Sequence, residues 1–258
     1  MSGTRSRIRK APATDRRNGG GTLVLVTHGI EGAPGSAAAH AAAIAALGRF
    51  EQVRVGCIKG RPGLAEALLD APHPVCIVPL LMAEGFIHDL MRQRLAELPG
   101  SDTWRLAAPV GCHPGLPEAI LAKATAGCRR RGWAMSRTAL LLIGHGAPRR
   151  RGSADATRDQ ARRLAGAGFA AVEAAFLEEP PLPAAAIAAL PGEHVVVVGL
   201  FLDNGPHGDA DERDALVPVD RAVAYTGAIG ADPVLVPLIL EQAACAPAAV
   251  DRRRGLVE

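Results

Sequence analysis

LLLIGHGAPRRRGS, from Leu140 to Ser153, decides how this chain is read, because LVLVTHGIEGAPGS, from Leu23 to Ser36, nearly repeats it. In both stretches an apolar run ends at a histidine followed by glycine, and a loop then leads to a serine placed to cap a helix. His28 and His145 are each the sixth residue of their stretch, and Ser36 and Ser153 the fourteenth. Short apolar runs without polar alternation read as strands buried on both faces, the pattern of a parallel sheet.

Working outward, the rest of the chain repeats as well. GCIKGRP (Gly56 to Pro62) matches AFLEEPP (Ala175 to Pro181), and PVGCHP (Pro109 to Pro114) matches AIGADP (Ala228 to Pro233). LLMAEG, ending at Gly85, matches FLDNG, ending at Gly205, and His88 matches His207. The spacing stays between 117 and 120 residues throughout. The fold expected is therefore α/β, two tandem lobes related by internal duplication, each a parallel sheet flanked by helices. The boundaries expected are a disordered basic tail over 1–20, an N-terminal lobe over 21–134 and a C-terminal lobe over 135–250.

Composition narrows the class. The longest apolar runs fall short of the roughly 18–20 residues that span a bilayer. Five scattered cysteines without a CxxC pair argue against a disulfide framework, so a reducing cytoplasm and no membrane association are expected. The net charge of +3 is local: Arg5, Arg7, Arg9, Lys10, Arg16 and Arg17 face only Asp15 in the first twenty residues, which leaves the remainder net acidic. With no aromatic residue interleaved in that basic head, no nucleic-acid partner is expected.

Right-handed crossovers bring all strand C-termini to one edge of such a sheet, where ligands bind. His145 follows the first strand of the second lobe, Glu178 ends the second strand, and His207 follows the third. Two imidazoles and a carboxylate form an incomplete, borderline-soft ligand set, suited to Co²⁺, Ni²⁺, Fe²⁺ or Zn²⁺ rather than Mg²⁺ or Ca²⁺. Glu179 is adjacent and is the alternative carboxylate. Gly144, Gly146, Asn204 and Gly205 are expected to border the substrate, and Arg149, Arg150 and Arg151 to dock a polyanion. In the first lobe His28 and His88 remain as a possible second site, but Lys59 stands where Glu178 does and the arginine loop is missing, so this copy reads as degenerate. His40, His73, His113 and His194 read as structural. A histidine phosphatase would need an arginine just before the His-Gly, where Thr27 and Gly144 stand instead.

On these motifs the sequence resembles the sirohydrochlorin chelatase family (CbiX/SirB type), within the class II chelatases. The resemblance runs from about residue 22 to 245 and implies two flavodoxin-like lobes with a tetrapyrrole held between them. It implies that His145 and His207 handle the metal with Glu178 as their carboxylate. The implied reaction is insertion of Co²⁺ or Fe²⁺ into sirohydrochlorin, in cobalamin or sirohaem biosynthesis. The metal is then a substrate, no cofactor is permanently bound, and the chain works as a monomer that is a pseudo-dimer. A metal or tetrapyrrole carrier of the same fold is the non-catalytic alternative.

Overall fold

A computed structural model describes residues 20–29, 34–146, 153–203 and 221–247. Nearly all of the basic tail, Arg149 to Arg151, Asn204, Gly205 and His207 lie outside these residues. The first lobe runs β1 (Thr22–Thr27), α1 (Ala37–Ala45), β2 (Gln52–Cys57), α2 (Leu64–Leu68), β3 (Val75–Pro79), α3 (Phe86–Ala96), β4 (Arg105–Leu106) and α4 (Leu116–Arg131). The second runs β5 (Thr138–Gly144), α5 (Ser153–Arg163), β6 (Val172–Phe176), α6 (Pro183–Ala189), β7 (His194–Gly199), β8 (Ala222–Ala228) and α7 (Leu235–Cys245).

Each lobe holds one four-stranded parallel sheet, in the orders β2-β1-β3-β4 and β6-β5-β7-β8. The repeat reaches the register. Leu23 pairs with Val53 and Cys76, and its counterpart Leu140 pairs with Val172 and Val196. The central strands β1 and β5 are buried along their whole length, as their unbroken apolar runs require. All five cysteines are unpaired, and burial pushes the Cys76 thiol up to about 11.

Alternate residues of the central strands enter different cores. Val24 and Val26 face outward with Leu64, Leu68, Met91 and Leu95 from α2 and α3. Leu141 and Ile143 face outward with Ile187 of α6. Leu23, Leu25, Leu140 and Leu142 point the other way, into one cluster shared by both sheets. The two lobes are therefore joined by a continuous apolar core.

That shared core is built by helix exchange. The helix after β4, α4, packs against β7 and β8 of the second sheet, while α7, after β8, packs against β3 of the first. At Gly127 of α4 an added Cβ would lie 2.6 Å from Thr226 Cγ2 and 3.1 Å from Val196 Cγ2, so glycine is what admits the close approach. On the other side, Gln242 of α7 donates to the Pro109 carbonyl at 3.0 Å. The Arg105 guanidinium donates to the Ala243, Ala244 and Ala246 carbonyls, closing the end of α7 where unpaired carbonyls gather. The buried Leu116 and Ile120 of α4 and Leu235 and Ile239 of α7 complete the cluster.

Local sequence explains where these helices stop and start. Helix α4 carries Pro117 in its first turn and Arg129, Arg130 and Arg131 in its last, then ends at Gly132 with φ of 69°. Helix α3 begins at Phe86, so His88 lies within its first turn and is buried.

Because each sheet is covered by a helix from the other half, fragments 20–134 and 135–247 should each be insoluble or unfolded when made alone. Co-expressed, they should purify as one complex with a single unfolding transition. A cooperative unfolding transition from either fragment alone would contradict the exchange.

Candidate functional site

The site assembles where the strands of the second sheet end. His145 is the residue after β5, and Glu178 lies two residues after β6, the strand next to it. A backbone bond from Glu178 N–H to the His145 carbonyl, 3.0 Å, fixes the two turns against each other. The side chains then meet: His145 Nε2 lies 3.2 Å from Glu178 Oε1. Both remain about half exposed, 45% and 53%, so the pair faces an opening rather than a sealed core.

Geometry separates the two adjacent glutamates. Glu179 turns away from the histidine, and its Oε1 accepts from Arg158 of α5 at 3.1 Å. Glu178 is thus the carboxylate beside His145. Among the described residues no three His, Cys, Asp or Glu side chains gather into a metal cluster. The third member expected from the sequence, His207, lies outside them.

The glycines flanking His145 have a packing explanation of their own. An added Cβ at Gly144 would fall 2.2 Å from Thr157 Oγ1 of α5. At Gly146, where φ is +76°, it would fall 2.9 Å from Glu179 Cγ and 3.0 Å from Phe176 Cβ. The chain's own side chains fill the space.

The first lobe copies the backbone of this site and inverts its electrostatics. Lys59 N–H donates to the His28 carbonyl at 2.8 Å, the counterpart of the Glu178–His145 bond. An ammonium therefore stands where the second lobe has a carboxylate. His28 is half-buried, its Nε2 has no hydrogen-bond partner among the described residues, and burial first and Lys59 second hold its pKa below 6.5. His88, buried in α3, is likewise lowered, chiefly by burial. The described residues bring no carboxylate to His28, so the possible second site at His28 and His88 lacks the feature that distinguishes His145.

Ser36 also departs from expectation. Its side chain does not cap α1; its hydroxyl donates to the Leu202 carbonyl at 2.8 Å, and its N–H donates to Asp203 Oδ2 at 2.5 Å. The segment after β7, which leads toward His207, is thus tied to the first lobe's helix. Sequence reading missed Asp203 and Arg158; an acidic FLD where the first copy has an apolar segment was the available signal for the former. Of the histidines read as structural, His40 bonds the Gly230 carbonyl at 2.7 Å, His113 lies 3.2 Å from Glu241, and His194 stacks on Trp133.

Two α/β lobes with a histidine–carboxylate pair at one sheet edge are what the sequence resemblance implies, and comparison with known proteins points the same way. A model of the CbiX family matches residues 139–246, which lie in the second lobe. The chain is 28% identical over 276 residues, 88% of its own length and 92% of its relative's, to a probable sirohydrochlorin cobaltochelatase of Halobacterium salinarum. The solved structure of CbiX, described as the terminal enzyme for biosynthesis of sirohaem in denitrifying bacteria, matches with a TM-score of 0.70 and 29% identity, over 88% of this chain and all of that one. A multi-domain protein of Deinococcus radiodurans with structural similarity to chelatases matches with a TM-score of 0.71 and 22% identity, over 90% of this chain. This chain spans 55% of that protein's length, and the likeness there is one of fold. The chain thus bears out its sequence resemblance to the sirohydrochlorin chelatase family, with the CbiX match in its second half. Among the described residues no helix is long and apolar enough to cross a membrane.

The lowered His28 pKa has a consequence for stability. An unfolded chain binds the His28 proton from about pH 6.5 downward, before the folded chain does, so folding weakens as pH falls through that range. His28→Gln removes this component. Urea unfolding at pH 7.5 and pH 5.5 should show a smaller acid-induced loss in the variant than in the unaltered protein.

Proposed function

We propose that this chain inserts a divalent metal, Co²⁺ or Fe²⁺, into sirohydrochlorin or a closely related tetrapyrrole, in cobalamin or sirohaem biosynthesis. The observation that carries the reading is the His145–Glu178 pair, 3.2 Å apart and half exposed at the strand ends of the lobe that the CbiX family model matches. The relatives' described activities support it. The lobes are assigned to 21–134 and 135–250, the second being the working copy, with the chain acting as a monomeric pseudo-dimer in the cytoplasm.

The metal is a substrate of the reaction. His145, Glu178 and His207 replace part of its water shell, which lowers the cost of desolvating the ion. Three protein ligands leave coordination positions open, so the macrocycle's four nitrogens can displace them. Insertion releases two pyrrole protons for each ion. The His145 imidazole and the Glu178 carboxylate are the bases within reach of one another to accept and pass them on. Arg149, Arg150 and Arg151 would pair with the substrate's carboxylates, and Asn204 and Gly205 would border it. The first lobe serves as scaffold: Lys59 beside His28 disfavours a cation there.

His145→Ala and His207→Ala should each lower metal insertion by about 100-fold or more while leaving the fold intact, as expected for loss of a ligand and proton acceptor. His28→Ala should have a much smaller effect. The measurement is the absorption change when purified protein, sirohydrochlorin and Co²⁺ or Fe²⁺ are mixed, against the uncatalysed rate. Unchanged turnover in the first two variants would refute the assignment, and stoichiometric capture without turnover would identify a carrier instead.

A further inference from the structure

The second lobe contains a second ion pair directly beside the first, and the two use consecutive residues. Glu178 reaches His145, while Glu179 passes over Gly146 and ends on Arg158, 3.1 Å away on α5. Arg158 is held on three sides. Its guanidinium lies 4.5 Å above the ring of Phe176, a fully buried residue at the end of β6, and it is 3.5 Å from Asp155 one turn earlier. Glu179 is itself only 16% exposed, so this pair is drier than an ordinary surface salt bridge.

The first lobe supplies an internal comparison. The strand registers equate Phe176, Glu178 and Glu179 with Cys57, Lys59 and Gly60. The same spacing carried from the first strand into the following helix equates Asp155 and Arg158 with Ala38 and Ala41. The backbone turn is kept, with Gly29 at φ +91° where Gly146 has +76°, yet every charged member and the aromatic seat are missing together. The turn therefore does not need the clamp for its geometry. The clamp accompanies the histidine–carboxylate pair.

The stem of Glu179 lies over Gly146, the residue after His145, where an added Cβ would fall 2.9 Å from Glu179 Cγ, so the position-179 carboxylate, if released, has the histidine's turn within reach. It would add a hard, charged oxygen to a ligand set whose usefulness depends on holding the ion weakly. We propose that Arg158 is a positioning residue for metal transfer: by clamping Glu179 onto α5 it keeps this second carboxylate off the ion, so that His145 meets the metal with Glu178 alone of the two glutamates. This rests on the reading of the site as a metal-transfer centre.

The test uses the full chain and four variants, Arg158→Gln, Arg158→Lys, Glu179→Gln and the double variant Arg158→Gln/Glu179→Gln. Thermal melting checks the fold of each. Co²⁺ binding to metal-free protein is measured by calorimetry without tetrapyrrole, and insertion kinetics are measured separately. Arg158→Gln should bind Co²⁺ about 10-fold tighter, the size of effect that residues behind metal ligands exert. Its kcat should fall and its KM for the tetrapyrrole should stay the same. Arg158→Lys, which keeps the cation, and the double variant, which removes the loose carboxylate, should both return close to the unaltered protein. Unchanged Co²⁺ affinity in Arg158→Gln, or no recovery in the double variant, overturns the proposal. A raised tetrapyrrole KM that persists in the double variant also overturns it, because the guanidinium would then contact substrate directly. If the unaltered protein binds Co²⁺ without turnover, the insertion reading falls while the affinities still decide the clamp; if neither it nor Arg158→Gln binds Co²⁺, both fall.

Discussion

A four-stranded parallel sheet has two apolar faces, and in this protein each sheet has one of them covered partly by a helix borrowed from the other half. Helix α4 lies on β7 and β8, and α7 lies on β3, so Leu23 and Leu25 share a single core with Leu140 and Leu142. Burying a Leu or Ile side chain contributes about 1.5–3 kcal/mol, and Leu116, Ile120, Leu235 and Ile239 all enter this shared core. Separating the lobes would expose that surface. The relative placement of the two sheet edges, and with it any site between them, depends on this exchange.

Duplication left the backbone nearly unchanged and let the side chains diverge. The same N–H to carbonyl bond joins residue 59 to His28 and residue 178 to His145. One turn presents an ammonium to its histidine and the other a carboxylate. An imidazole beside Lys59, already disfavoured for charge by burial, is a poor neighbour for a metal ion. The same imidazole beside Glu178 is a good one. The first lobe also braces the second, since Ser36, just before helix α1, holds Leu202 and Asp203.

The arrangement around His145 suits a centre that passes an ion on rather than keeps it. The pair is half exposed, and the neighbouring carboxylate is engaged by an arginine seated on Phe176. A closed structural metal site would instead complete its ligands and exclude solvent. The glycines on either side of His145 belong to the same economy of space, since Thr157, Phe176 and Glu179 occupy the room their side chains would need.

The sequence by itself determined the two-fold repeat, the strand order of events along each half, and the sheet edge on which the chemistry falls. Unbroken apolar runs such as Leu140 to Ile143 can only be central strands, and a strand's end is a local property of the chain. His145 was legible for that reason, as was the cation Lys59 in the place that Glu178 takes in the second half. Only the tertiary structure decided which glutamate meets the histidine, because Glu178 and Glu179 are equivalent in composition and differ only in where α5 places Arg158. Likewise Ser36 read as a helix cap until Leu202 and Asp203 approached it from the other lobe. The exchange of α4 and α7 was invisible for the same physical reason. An apolar helix face records that it must be buried, and nothing in its spacing says against which of two near-identical sheets.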